Sequence, residues 1–598
     1  MQRVKTEVSA EIKAEPIREI TPRAIALGIL LALVLGAANA YLGLYAGMTV
    51  SASIPAAVIS MAALRILGGA TILENNVVQT IASAGEAVAA GAIFTFPALV
   101  ILGRGAELSW RNVTLLCLAG GVMGGLMIVM LRRAYIVEER LPFPEGVACA
   151  EVLRAGEGED RAAAILAGGI ISAALKAAQD VGGIVPQAFI GARWVGSIAF
   201  SGAVNISAAL LGVGYIVGIR IAVLVFLGGV VAWLIAIPLA SPFHPELRAL
   251  PAHVAAARLW SAEARYLGVG AMLVGGLATV TRLRERILRA VMESVRIIRA
   301  GRAHALAREE TDLPIPSVAA AIALCVPVVF ALAWHFSGIL WIAAVLAIIL
   351  VILAFFASAV AGYLTGIVGS SNNPVSGVTV IVLLGVALLL MGFGVGMRAG
   401  PELAIMTGAV VCTAAAMAGD SLHDLATGYH VGASPRSLEI AVLIGAIASS
   451  FVMAPIINML IHGYGIAGTP TARAGALAAP QAFLMAKVTQ GVFSGNLPWT
   501  TIGAGAAFAL ALEIADRFLE RGGSTWRTPV MPIAIGLYLP FGLAATILIG
   551  SLPHLLRGSG DRAEGKGLLF AAGLIAGEAL MGLASGALVT VGVHLPLW

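Results

Sequence analysis

Charge is scarce in this sequence of 598 residues, of which only 12% are Asp, Glu, Lys or Arg. A soluble domain usually carries about twice that share, because its surface has to face water. Hydrophobic residues make up 59% of the chain, and the mean hydropathy is +0.96. The composition therefore argues against a cytosolic enzyme, a DNA-binding protein or a secreted disulfide scaffold, and it indicates a polytopic membrane protein.

Cysteine and several well-known motifs are also missing or rare. The four cysteines stand singly in apolar segments without a CxxC pair, so we expect neither a zinc site nor a disulfide framework, and no cofactor. The sequence contains no GxxxxGK[ST] loop and no HExxH motif. An uphill transporter with this sequence would therefore have to draw on an ion gradient. No basic face interleaved with aromatic residues is visible, so we expect no nucleic-acid partner.

Basic residues concentrate between the apolar runs. Most of the 37 are arginine, which the positive-inside rule places in cytoplasmic loops. The arginines from Arg282 to Arg308 alternate with apolar residues and predict an amphipathic basic helix on the cytoplasmic face. We therefore divide the chain into a charged cytoplasmic leader, an N-terminal transmembrane bundle, a basic linker helix and a C-terminal transmembrane bundle: 1–21, 22–281, 282–316 and 317–598.

The apolar runs predict an all-α, polytopic transmembrane bundle of about 16 helical segments, since a spanning helix needs about 20 apolar residues. The run 24–38 precedes a sequence that resembles a signal-peptidase site, but the glutamates of the leader favour a first transmembrane helix instead. The apolar segment 144–154 is too short to span alone. Similar short motifs recur in the same order in both parts of the chain, which predicts two pseudo-repeats with broken or re-entrant helices.

A polar stripe interrupts the third apolar run. Asn76, Gln79, Ser83 and Glu86 are spaced by three, four and three residues, so they share one face of a helix. Polar groups at bilayer depth are costly unless they pair or face a cavity. The stripe therefore predicts either a seam of hydrogen bonds between helices or the wall of a transport pathway. The carboxylate favours the pathway, with Glu86 as a protonation site and the other three residues as substrate ligands.

A second stripe lies near residue 420. Asp420, His423, Asp424 and Thr427 again share one helical face. Three interpretations stay open, namely a metal site, a solvated loop at the membrane surface, and a site that handles substrate or protons. We take the two aspartates and the histidine as further proton-coupling candidates.

A polar, glycine-rich break separates two apolar runs at 362–377. It is either an extramembrane loop or a re-entrant break whose helix ends face a cavity. On the second interpretation, Ser371, Asn372 and Asn373 are candidate substrate ligands. Two further candidates, Gln179 and Asp180, carry less weight.

Several stretches resemble the oligopeptide transporter superfamily, which includes the yellow-stripe-like metal-chelate carriers. These stretches extend over nearly the whole chain, and the second is the most specific: Ser53–Ala57, Glu74–Glu86, Pro142–Gly146, Gly369–Pro374, Pro480–Ala482 and Gly573–Glu578. The resemblance implies proton-coupled uptake of small peptides, or of peptide-like metal chelates, through a bundle of roughly 16 helices. One departure concerns the family segment Gln-Asp-Leu-Lys-Thr-Gly, which here has His423 and Ala426 in place of glutamine and lysine. The identity of the substrate is therefore more open than the class of protein.

We expect a secondary transporter that moves small peptides across the plasma membrane by alternating access, with protons and lipid as partners, and not an enzyme. A metal-chelate carrier of the same superfamily is the alternative. A channel and an intramembrane enzyme are more remote, and a homodimer is one oligomeric state to test. The expected chamber lies between the Asn76–Glu86 stripe and the break at 370–374.

Overall fold

The computed structural model describes most of the chain. The described residues are 19–593 apart from 48, 50, 105–107, 155–158, 276, 279–280, 282–307, 371–372, 374, 471, 473–475, 496–497, 525, 554–563 and 592. Most of the predicted leader, most of the predicted linker helix, and two of the candidate ligands, Ser371 and Asn372, therefore lie outside the described residues.

The first part of the chain holds eleven of the described helices and one hairpin. The α-helices are α1 (Pro22–Ala46), α2 (Ser53–Ile66), α3 (Ile72–Thr95), α4 (Pro97–Ile101), α5 (Trp110–Arg132), α6 (Pro144–Arg154), α7 (Glu159–Asp180), α8 (Ala208–Val217), α9 (Ile219–Val230), α10 (Ile237–Ala240) and α11 (Ala252–Leu259). Strands β1 (Ala188–Val195) and β2 (Ile198–Asn205) pair antiparallel. Short π-helical stretches extend three of the helices: Arg133–Glu138, Val231–Ala236 and Trp260–Ala264, the last leading into helix 265–275.

The described residues of the second part form helices joined by loops, with one isolated bridge between Ile466 and Leu477. Its α-helices are α12 (Ile315–Ser337), α13 (Leu340–Val368), α14 (Val375–Gly392), α15 (Gly400–Val431), α16 (Pro435–Tyr464), α17 (Pro480–Ser494), α18 (Trp499–Arg521), α19 (Val530–Tyr538), α20 (Phe541–Ser551) and α21 (Glu564–Thr590). Across the described residues, nine helices are long and apolar enough to cross a membrane, and four shorter ones are also apolar. The predicted all-α, polytopic bundle is thus confirmed.

Helix α3 lies at the centre of the largest group of packed helices. It packs against α1, α15 and α16, so it contacts both parts of the chain. Its start is fixed by a capping box. The hydroxyl of Thr71 accepts from the backbone N–H of Glu74, and the carboxylate of Glu74 accepts from the backbone N–H of Thr71. The helices α3 and α15 run antiparallel and very close together. A Cβ added at Gly91 would lie 2.4 Å from the Cα of Thr413, so only glycine permits this approach.

A second group of packed helices contacts the hairpin through α20. It is made of α7, α8, α9, α19, α20 and α21. Helix α7 packs along α21, and α9 packs on α19. Helices of the predicted N-terminal and C-terminal bundles therefore interleave in both groups, whereas the division of the sequence at 282–316 stays a prediction.

The hairpin was not foreseen. Its second strand overlaps an apolar window, 203–219, that composition alone would assign to one membrane-spanning helix. The structure instead has β2 up to Asn205 and then begins α8 at Ala208, with Ser207 as its N-cap. The hairpin is amphipathic only in part, since Phe189 and Ile190 are both more than half exposed.

Candidate functional site

Helix α2 is a half-helix that begins at mid-height beside α3. The backbone N–H of Ala52, its N-cap, donates to Oε2 of Glu86 at 2.5 Å, and Glu86 lies near the middle of α3. At the other end of α2, the carbonyl of Leu67 accepts from Arg23 at the start of α1. With 14 residues, α2 is about 21 Å long and covers only part of a bilayer core of about 30 Å. Its positive dipole end therefore points at a buried carboxylate, an arrangement that transporters use near the midplane.

Ser53 connects that half-helix to the second stripe. Its hydroxyl lies 2.9 Å from Oδ1 of Asp424 and 3.2 Å from the hydroxyl of Ser83. The amide of Gln79 also donates to Oδ1 of Asp424. The two predicted stripes thus face each other across α3 and α15, and all of these side chains are almost fully buried. The segment around Asp424 lies inside a helix of 32 residues, which excludes the solvated-loop interpretation.

His423 and the amides leave unused hydrogen-bonding capacity. Nδ1 of His423 lies 3.5 Å from Oδ1 of Asp424. Among the described residues, several buried polar atoms have no hydrogen-bond partner, namely Nε2 of His423, Oδ2 of Asp424, Oε1 of Gln79 and both amide atoms of Asn76. Buried polar groups are almost always paired in folded proteins. Such a concentration of unpaired donors and acceptors is therefore typical of a place that receives a polar ligand or water.

Asp420 marks the partly exposed edge of this cluster. The hydroxyl of Ser370 donates to its carboxylate, and Asn373 donates to the carbonyl of Ala361 at 3.1 Å and to Thr365 at 2.9 Å. Ser370, Asn373 and Asp420 are each half-buried, in contrast to the deeper Asp424. The edge is formed where α13 ends and α14 begins, so the predicted break is real but narrower, at 369–374.

Glu145 approaches the same edge from another half-helix. It follows Pro144 at the start of α6, and Gly369 has a φ of +87° beside it. A Cβ at Gly369 would lie 2.5 Å from Oε1 of Glu145, so a side chain at that position would collide with the carboxylate. The hydroxyl of Thr427 donates to the carbonyl of Gly146, which ties α6 to α15. Two half-helix starts and one helix break therefore meet at the cluster.

Acidic groups outnumber basic ones here. Glu86, Asp420 and Asp424 lie in the cluster, and Glu145 is at its edge. In the described part of the chain, no lysine or arginine forms an ion pair with the first three carboxylates. His423 is the one nearby side chain that is able to become cationic near neutral pH. The described residues also contain no group of three His, Cys, Asp or Glu side chains that could hold a metal ion. This arrangement is chemically suited to protons, to a cationic group and to amides.

The remaining candidates, Gln179 and Asp180, lie elsewhere, at the end of α7. Gln179 donates to the carbonyls of Ile206 and Pro186 and so joins α7 to the hairpin. Asp180 forms an ion pair of 3.0 Å with Lys176 and accepts from the hydroxyl of Tyr464 at 2.9 Å. We call Lys176, Asp180, Tyr464 and the nearby Glu578 the lysine cluster. It is separate from the two polar stripes, Asn76–Glu86 on α3 and Asp420–Thr427 on α15. We call these two stripes together the acidic cluster.

Sequence reasoning missed Ser53 and Lys176. Ser53 stands in one of the stretches of the family resemblance, but its role depends on the position of the start of α2, which the sequence does not reveal. Lys176 is the one lysine in a long apolar window, and a charge at that depth indicates a partner. That signal was visible in the sequence.

The described residues form a bundle of membrane-length helices, together with half-helices whose N-termini lie at acidic residues. This combination defines an integral membrane protein of the transporter type. A family model described as "OPT oligopeptide transporter protein" matches residues 19–589. A protein of Haemophilus influenzae named "Putative oligopeptide transporter" is 33% identical over 580 residues, which cover 91% of this chain and 91% of that protein. The chain belongs to the oligopeptide transporter family.

Proposed function

We propose that this protein is a secondary active transporter of the plasma membrane that moves small peptides by alternating access and couples their movement to protons. The observation that carries the proposal is the acidic cluster, in which Glu86 and Asp424 are buried beside the start of a half-helix with unpaired polar atoms around them. The family membership supports the peptide substrate.

Proton coupling is supported by the charge balance of the acidic cluster. Burying a carboxylate without a cation favours its protonated form. A group of three acids with one histidine can therefore hold a proton in one conformation and release it when water or a cationic substrate group enters. We assign the proton to Glu86, with Asp420, Asp424 and His423 as its exchange partners.

Peptide recognition is supported by the unpaired amides. Asn76 offers an unpaired donor and an unpaired acceptor, and Gln79 and Asn373 each offer an unpaired amide oxygen. A peptide backbone needs both kinds of partner once it leaves water. In this proposal the three amides bind peptide groups, Ser83 supports them, and the acids receive the positively charged amino terminus.

The decisive experiment is uptake by reconstituted vesicles with an imposed pH gradient, alkaline inside. Wild-type protein is expected to accumulate labelled peptides of two to five residues, whereas Glu86→Gln loses gradient-driven accumulation and keeps its fold. Glu402→Gln is a matched control, because Glu402 is at the opposite end of α15 beside Arg104.

The same assay separates the alternatives. Normal pH-driven accumulation by Glu86→Gln would remove Glu86 from the mechanism. Accumulation of iron or nickel chelates that peptides do not inhibit would identify a metal-chelate carrier. Passage of solute without accumulation against its gradient would identify a channel.

A further inference from the structure

A second buried polar site surrounds Arg265, on the helix that continues α11. Its guanidinium carbon lies 3.8 Å from the ring centre of Phe483, 4.3 Å from that of Trp260 and 4.8 Å from that of Tyr538. Arg265 is only 4% exposed. Within the described residues it has no carboxylate partner, and its one hydrogen bond is a long contact of 3.4 Å to the carbonyl of Ala478. A buried charge normally has an ionic partner, because desolvation is otherwise too costly.

The unpaired atoms around this guanidinium are almost all donors. Nε of Arg265, Nε1 of Trp260 and the hydroxyl of Tyr538 have no hydrogen-bond partner among the described residues, and all three side chains are buried. Lys487 adds a second positive charge, with its ammonium 5.3 Å from the ring centre of Phe483. Three buried donors and two cations, with no counter-charge among the described residues, match the chemistry of an anion, above all of a planar carboxylate that accepts two hydrogen bonds from a guanidinium.

Helix α17, which carries Phe483, is connected to the acidic cluster by a short piece of chain. Gln481, two residues before Phe483, donates to the carbonyl of Gly47 at 3.2 Å. Five residues later, the N–H of Ala52 donates to Glu86. Five residues extend at most about 18 Å, which is also about the length of an extended pentapeptide. The two ends of this segment, Gly47 and Ala52, are therefore no farther apart than the ends of one short peptide.

We propose that Arg265, with Trp260 and Tyr538, binds the carboxylate terminus of the transported peptide while the acidic cluster receives its amino terminus. This inference rests on the proposed function and adds to it a reason for preferring peptides with a free carboxylate terminus. The aromatic rings exclude water from the ion pair and so strengthen it.

The test compares the binding of alanine peptides of two to five residues with that of the same peptides as C-terminal amides. Binding is measured by calorimetry on the purified full-length protein in detergent. Wild type is expected to bind the acid form about tenfold to a hundredfold more tightly than the amide, which is the usual range for a hydrogen-bonded charge. Arg265→Gln brings this ratio close to one without weakening the binding of the amide.

Two further variants guard against effects of folding. Arg265→Lys keeps the charge but loses the planar donor pair, and we expect an intermediate ratio. Arg104→Gln is the matched control outside the site and keeps the wild-type ratio. If Arg265→Gln does not fold, an unchanged ratio in Arg265→Lys overturns the proposal.

The possible failures are distinguishable. Equal binding of acids and amides by wild type would overturn the role of Arg265 and leave peptide transport standing. Absence of binding of both forms would overturn the proposed function and this inference together. Binding of acetate that requires Arg265, combined with equal binding of the two peptide forms, would assign the site to a free anion instead.

Discussion

Two buried glutamates of this transporter have the same local geometry and different surroundings. Glu86 accepts from the N–H of Ala52 at the start of α2, and Glu578 accepts from the N–H of Ala209 at the start of α8, at 2.9 Å. A serine stands beside each contact, Ser53 in the first case and Ser207 in the second. Each glutamate lies on a long helix and meets the positive end of a short one.

The difference lies in what remains unpaired. Both oxygens of Glu578 are hydrogen-bonded, the second by Ser207 at 2.7 Å, and Lys176 supplies a nearby positive charge that Asp180 shares. The acidic cluster has more carboxylates, no lysine or arginine paired to them in the described part of the chain, and several unpaired atoms. The comparison teaches that a half-helix start on a carboxylate is not by itself a transport site. The unpaired hydrogen-bonding atoms distinguish the acidic cluster from the lysine cluster, which has a structural role.

The largest expected effect that tests this contrast is on stability. Lys176→Met removes the cation of the lysine cluster and leaves Asp180 buried without it, and removing one partner of a buried pair costs about 3–5 kcal/mol. Glu86→Gln leaves no such charge behind and is expected to change stability by less than about 1 kcal/mol. Denaturant unfolding of both variants in the same detergent measures the difference. Equal losses of unfolding free energy in the two variants would contradict the distinction between a structural lysine cluster and a functional acidic cluster.

A smaller effect is expected from the paired serines. Ser207 is the N-cap of α8 and also donates to Glu578, so Ser207→Ala lowers the free energy of unfolding by about 2 kcal/mol, whichever peptide is present. Ser53 makes no such cap bond in α2, so Ser53→Ala mainly deprives Asp424 of a donor. We expect about tenfold slower peptide uptake at near-normal stability. Stability curves and initial uptake rates of both variants check this prediction, and slow uptake in Ser207→Ala alone would reverse it.

The smallest effect concerns pH outside the membrane. Hydrogen bonds that His244 donates to the carboxylates of Glu246, at 2.9 Å, and Glu263, at 2.6 Å, raise its pKa above the ordinary 6.5. Its stabilising contribution is therefore complete below pH 6.5 and is lost as the pH rises through the higher, folded-state pKa. In His244→Gln, this weak pH dependence of thermal stability disappears.

Uptake serves as the control for that variant. If the acidic cluster governs coupling, the pH profile of peptide uptake by His244→Gln matches that of wild type. A shifted uptake profile would show that a surface histidine, and not the acidic cluster, sets the pH response.

The sequence predicts which residues share one face of a helix, but it does not predict which helices pack against each other. Helical spacing alone placed Asn76, Gln79, Ser83 and Glu86 on one side of α3, and it did the same for the stripe on α15. That these sides meet depends on packing between segments more than 300 residues apart, which no local pattern encodes. The short segment 144–154 was predicted with its observed limits, because Pro144 is a strong signal for a helix start.

The errors have equally local causes. The hairpin β1–β2 was missed because neither strand has a strict alternation of buried and exposed residues. The aromatic surroundings of Arg265 come from the π-helical stretch after α11, from α17 and from α19, so no single stretch of sequence displays them. Gln179 and Asp180 are both buried, and the lysine one turn before Asp180 was overlooked.

The pairing of Gln79 with Asp424 spans 345 residues of chain, and this has a consequence for biogenesis. During synthesis, Gln79 enters the membrane on α3 long before Asp424 on α15 leaves the ribosome. The polar face of α3 then has to be shielded by the insertion machinery or by water until α15 arrives. A truncated protein ending before residue 400 never gains this partner and is therefore a natural substrate for membrane quality control.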